Sequence, residues 1–111
     1  MTTLSTHVLD TMLGRPAADM TLVLRGPDGI IAQGTTNNDG RCPGLLAGEL
    51  APGRYALTFA VAGYFRALGV VLPEPPFLDE VTIDFGVAAN GGHYHVPLLV
   101  SPFAYSTYRG S

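Results

Sequence analysis

Apolar and polar residues alternate along this chain in short runs, and glycine or proline cuts each run before it reaches helical length. "LSTHVLDT" predicts a first strand, which "GRPAAD" turns into "MTLVLR". There Met20, Leu22 and Leu24 fall on one face and Thr21, Val23 and Arg25 on the other. "GPDG" is a hairpin-type turn into "IIAQGTT", and "NNDG" is a second turn that tolerates left-handed backbone. "RYALTFAV" sets Tyr55, Leu57, Phe59 and Val61 against Ala56, Thr58 and Ala60. "GYFRALG" is the one segment that suits a helix, of about two turns at most. In "DEVTIDFGV" the core face takes Val81, Ile83, Phe85 and Val87, and "GHYHVPLLVSP" and "AYSTYRG" supply the last strands. Seven or eight short strands so spaced predict an all-β, two-sheet sandwich, one domain over residues 1–111, with the strand order left open.

Composition sharpens this picture. The chain is 111 residues long, 47% apolar and only 14% charged. Soluble domains average about 25% charged residues, so part of this surface is expected to be covered by other subunits. Net charge is −3, and all six cations are arginine. Such a balance argues against nucleic acid, whose phosphates are held by clustered Lys and Arg, and against a polybasic membrane anchor. Cys42 is the single cysteine, which excludes an intramolecular disulfide and the usual thiolate zinc sites. No run approaches the ~20 apolar residues of a spanning helix, and "MTTLSTHVLDTMLGRPA" lacks the pattern of a signal peptide. A soluble cytoplasmic protein is expected.

Candidate chemistry rests on three histidines and two arginines. His93 and His95 share one strand face, with Tyr94 and Val96 on the other. H-x-H on a strand is a usable metal geometry, and His7 would supply a third ligand; the competing reading makes His93 an exposed turn residue. No Asp or Glu flanks the pair to orient it, so a metal is not expected. His95 lies deeper, where a histidine is either a satisfied core residue or a base. Apolar surroundings and a nearby arginine favour neutral imidazole, the form that accepts a proton from water. Arg41, after the "NNDG" turn, and Arg109 are either solvated loop arginines or planar donor forks for carbonyls or a delocalised anion. Cys42 reads as a packed residue rather than a nucleophile. Phosphate loops, nucleophile elbows and cofactor fingerprints are absent from the sequence.

Longer motifs are more specific. "LSTHVLDTMLGRPA", "TNNDGRCPGLL", "GRYALTFAVAGYF" and "HYHVPLLVSPFAYSTYRGS" resemble, in order and over essentially the whole chain, the 5-hydroxyisourate hydrolases of the transthyretin-like family. The terminal Y-R-G-S is the element that separates these hydrolases from hormone-carrying transthyretins. The resemblance implies an eight-stranded sandwich with one short helix. It also implies a homotetramer, a dimer of dimers, with sites in a channel between dimers. By position it assigns the site to His7, Arg41, His95 and the tail Tyr108, Arg109, Gly110 and Ser111. Position 93 varies in the motif, so no role passes to His93. The "RGPDGIIAQG" hairpin is shorter than in many relatives, and Phe103 replaces the more usual tyrosine.

The implied reaction is hydrolysis of 5-hydroxyisourate, an intermediate of urate degradation, at a cyclic acyl C–N bond, giving a ureido-imidazoline carboxylate. It uses no cofactor. His95 is expected to activate water, with His7 orienting it or serving the leaving nitrogen. Arg41 would polarise substrate carbonyls, and Ser111 would bond substrate or water through its hydroxyl or carboxylate. Tyr108 and Arg109 would anchor the tail. Two rivals remain at this level: a small-molecule carrier of the same fold, and an adhesive sandwich without a site.

Overall fold

The computed structural model describes residues 2–110. Its strands run in the order β1 (Thr2–Asp10), β2 (Arg15–Pro16), β3 (Thr21–Gly26), β4 (Gly29–Thr35), β5 (Gly53–Phe59), β6 (Val81–Val87), β7 (Gly92–Val100) and β8 (Tyr105–Thr107). One helix, α1 (Val61–Ala67), interrupts them. Two four-stranded sheets result, ordered β2-β1-β7-β8 and β4-β3-β5-β6. Every pairing is antiparallel except β1 with β7, which run parallel from Thr2↔Gly92 to Asp10↔Val100.

The alternation that predicts the strands also fills the space between the sheets. Val8, Leu98 and Val100 from one sheet meet Leu22, Leu24, Leu57 and Phe59 from the other, all fully buried. Each such side chain contributes about 1.5–3 kcal/mol of burial energy. Phe85 stays half-buried at the rim of this core, where its ring stacks near Tyr55 at 6.0 Å.

Three local features depart from the pattern-based expectation. The "GRPAAD" turn contains a two-residue strand, β2, pairing Leu9↔Pro16 and Asp10↔Arg15. The turn ahead of it is closed by Gly14, at φ 70°, whose N–H donates to the Asp10 carbonyl, while Leu13 N donates to Asp10 Oδ1. Arg25 in β3 follows a bulge that shifts the register against β4. The helix begins at Val61, two residues before the expected start. Val61 still faces the core, as strand alternation requires, but it does so as the first helical residue. Ala60 N donates to the Thr21 carbonyl and so ends the β5 ladder there, and Gly69, at φ 84°, stops the helix with N–H donated to Arg66 O.

Helix α1 is tied to the first strand by one buried contact. Tyr64 donates its hydroxyl proton to Asp10 Oδ2 at 2.8 Å, and both residues are buried. Burial, then the hydrogen bond and charge of Asp10, push the Tyr64 phenol up to about 12. Among the described residues no helix is long and apolar enough to cross a membrane.

Candidate active site

The site begins with strand alternation. Thr6, Val8 and Asp10 of β1 point into the core, so Thr3, Ser5 and His7 occupy the outer face of the sheet. On β7, Tyr94 and Val96 are buried, which turns His93 and His95 to the same outer face. Parallel register then sets Ser5 beside His95 and Thr3 beside His93.

Arg41 arrives from a loop built for close docking. Asn37 Oδ1 accepts from the N–H groups of Asp39 and Arg41 at 2.9 and 3.1 Å, and Asn37 N donates to Arg41 O at 2.7 Å. This asparagine turn presents Gly40, whose carbonyl accepts from Val8 N at 2.8 Å. Gly40 has φ 74°, and a Cβ there would overlap the Val8 carbonyl oxygen, so only glycine suits the position. The outcome is an antiparallel bridge between Arg41 and His7.

The tail docks from the other side. β8 pairs Leu98↔Thr107, and the same register carries on to a bridge between His95 and Gly110, with Gly110 N donating to His95 O at 2.8 Å. Between these points the ladder opens, because Pro97, opposite Tyr108 in that register, has no N–H to give. Thr107 Oγ1 instead donates to the Pro97 carbonyl at 2.7 Å. The guanidinium of Arg109 lies 3.9 Å from the centre of the Tyr94 ring, and its Nη2 reaches the His93 carbonyl at 3.5 Å. Tyr108 lines a cleft with Ile83 and Phe85 on the β6 flank. Gly110 is therefore brought to His95, whose imidazole also has Arg41 and His7 nearby. Tyr108 and Arg109 instead line a cleft with Tyr94 and Val96, away from the histidine face. Ser111 lies outside the described residues.

Burial pushes the His95 imidazole below its ordinary 6.5, and the nearby Arg41, His7 and His93 act in the same direction. At neutral pH the ring is thus the uncharged form able to accept a proton. Cys42, next to Arg41, is half-buried against the core; burial pushes its thiol up, opposite to what a nucleophile needs. Among the described residues no three of His, Cys, Asp or Glu are grouped to hold a metal ion.

Sequence reasoning missed Ser5 and Thr3. Ser5 Oγ lies 2.7 Å from His95 Nδ1 and 2.8 Å from His93 Nε2, and Thr3 Oγ1 lies 2.6 Å from His93 Nδ1. Their placement on the His7 face was legible from alternation. Their partners were not, because the pairing joins positions 90 residues apart.

Two stacked sheets with a parallel β1–β7 seam, one short helix and a histidine–arginine cluster outside that seam define a transthyretin-like sandwich with a polar site. The family model for "HIUase/Transthyretin family" matches residues 4–110. A 5-hydroxyisourate hydrolase of Ralstonia nicotianae is 56% identical, the match covering 97% of each chain. The solved 5-hydroxyisourate hydrolase of Klebsiella pneumoniae superposes with a TM-score of 0.88 at 37% identity over 100% of both chains. Sea bream transthyretin, solved in complex with thyroxine, superposes with a TM-score of 0.85 at 30% identity, over 96% of this chain and 93% of its own. The chain belongs to the HIUase/Transthyretin family.

Proposed function

We infer that this chain is a hydrolase that opens 5-hydroxyisourate at its cyclic acyl C–N bond, in urate degradation. The observation that carries the reading is the pair of backbone bridges His7↔Arg41 and His95↔Gly110, with both histidines on the outer face of the first sheet and the Arg41 charge close enough to act on His95. A carrier of the thyroxine-binding kind has a mostly apolar pocket, and this polar set does not suit one.

In this reading neutral His95 takes a proton from water as the water attacks the carbonyl carbon, and His7 orients the water or serves the leaving nitrogen. Arg41, cationic throughout the working pH range, holds and polarises the substrate carbonyls as negative charge develops on oxygen. Ser111, in this reading, bonds substrate or water. Tyr108 and Arg109 anchor the tail, as the Arg109–Tyr94 contact supports. General-base help of roughly 10²–10⁴-fold, added to positioning, suffices for a substrate that also decays unaided. No metal or cofactor enters the scheme.

The assembly in this reading is a homotetramer of two dimers, working in the cytoplasm, with the His95 face of the first sheet lining a channel between dimers. The 14% charge content and the exposed Phe103, Tyr105 and Tyr108 support it. Light scattering in solution tests it, and a monomer would overturn it.

The functional test generates 5-hydroxyisourate from urate with urate oxidase and follows its ultraviolet decay. Faster decay with the protein, lost in His95→Ala, is the expected result. Decay at the spontaneous rate with folded protein present would return the carrier reading.

A further inference from the structure

Thr3, His93, Ser5 and His95 form one unbroken line of side-chain hydrogen bonds on the outer face of the first sheet. The links are 2.6 Å from Thr3 Oγ1 to His93 Nδ1, 2.8 Å from His93 Nε2 to Ser5 Oγ, and 2.7 Å from Ser5 Oγ to His95 Nδ1. A neutral imidazole carries one N–H and a serine hydroxyl one proton, so the direction of one link fixes the others. For His95 to offer an unprotonated Nε2 to water, its proton must sit on Nδ1 and be donated to Ser5. Ser5 then donates to His93 Nε2, and His93 holds its own proton on Nδ1, donated to Thr3. Exposure rises along the line: Ser5 and His95 are half-buried, Thr3 and His93 exposed.

We propose that Ser5 and His93 form a proton reservoir for His95, moving the positive charge of the activated base out to a water-exposed imidazole. The inference rests on the hydrolytic reading above. As Nε2 of His95 takes the proton of the attacking water, its Nδ1 proton passes to Ser5, and the Ser5 proton passes to His93 Nε2. The charge then sits on His93 while the tetrahedral adduct exists. When the C–N bond breaks, Nε2 of His95 gives its proton to the leaving nitrogen, and the proton held at His93 Nε2 returns through Ser5 to His95 Nδ1. One proton goes out and one comes back, and every group ends as it began.

The driving force is the contrast between the two rings. A cation on His95 would face the Arg41 guanidinium and His7 from the neighbouring loop and strand, in a half-buried site. On His93 it is in water, with Ser5 and Thr3 as partners; the Arg109 guanidinium reaches the His93 carbonyl rather than the ring. Ser5 and His93 act through His95 and touch no reacting atom, so they are positioning residues.

The test compares His93→Ala, Ser5→Ala and Ser5→Thr with the parent chain. Turnover in His93→Ala is expected to fall about tenfold or more in kcat at unchanged KM, and to recover with rising concentrations of imidazole buffer, while the parent is insensitive to that buffer. Ser5→Ala should fall similarly and Ser5→Thr, which keeps the hydroxyl, should hold its rate. A purely structural role predicts no buffer response, and parent-like kcat in His93→Ala or Ser5→Ala would overturn the proposal. Imidazole nitrogen chemical shifts, read by NMR on the resting parent protein, give a second arm that needs no turnover. Nδ1–H on both His93 and His95 is expected, and Nε2–H on either would overturn the relay. If the parent itself fails to turn over, the hydrolytic reading falls, while the tautomers still judge the hydrogen-bond line.

Discussion

Gly110 lies so close to His95 that the backbone of one and the imidazole of the other leave no room for a side chain between them. Its N–H donates to the His95 carbonyl at 2.8 Å, and a Cβ at Gly110 would overlap the His95 ring. The tail therefore fixes the position of the base.

Gly110→Ala is expected to push the tail off β7 and shift the ring. Displacement of a catalytic group by about 1 Å costs on the order of 10²-fold, so kcat/KM should fall by about that factor. Gly110 lies outside the core between the sheets, and the melting temperature should change little. Ultraviolet decay assays beside thermal melts check both halves.

The pH profile follows from His95. Its folded-state pKa lies below 6.5, so kcat/KM should be flat through neutrality and fall on the acid side with a midpoint below 6.5. Burial is the main cause and the Arg41 charge the next, so Arg41→Gln should lower the rate and move that midpoint upward. The same shift has a stability sign. Between the two pKa values the unfolded chain binds more protons, so this contribution is complete above 6.5 and is lost as pH falls through 6.5 to the folded value.

Tyr64→Phe removes the donor to Asp10 Oδ2 and leaves a buried carboxylate oxygen short of a partner. The expected loss is about 1–3 kcal/mol, seen as a melting point lower by several degrees, with kcat almost unchanged at 25 °C. In the parent, the phenol near 12 against an ordinary 10.0 means the folded state holds its proton longer than the unfolded one. That stability is present below pH 10 and is lost as pH rises through 12, which phenolate absorbance during alkaline unfolding would follow.

Gly40→Ala and Arg41→Gln should separate loop docking from chemistry. Alanine at Gly40 meets both a left-handed backbone and the Val8 carbonyl, and should cost stability and activity together, by roughly 1–3 kcal/mol for the backbone strain alone. Arg41→Gln, at an exposed side chain, should cost activity with little change in the melt.

β3, β5 and β6 were legible because each carries a two-residue period whose apolar half faces the core, Met20, Leu22 and Leu24 or Val81, Ile83 and Val87, with Phe85 only half-buried. β4 has no such face, its Ile30 and Ile31 being exposed. The start of α1 was not, since Val61 suits the core in either conformation and the ladder ends at Ala60 through a bond to distant Thr21. His7, Arg41 and His95 became candidates through their motifs, whereas Ser5 and Thr3 looked like ordinary strand polar residues. What gives them partners is the parallel register of β1 on β7, a tertiary fact that no local pattern carries.

That seam also sets when the site comes into being. Ser5 is made 90 residues ahead of its partner His95, and the tail that holds His95 follows later still. Half of the machinery must wait, with only the two-residue β2 and the Arg41 bridge beside β1, until β7 is made. Such distant pairing is slow to form, and it means that a nascent chain stalled anywhere before β7 has His7 and Arg41 but lacks His95.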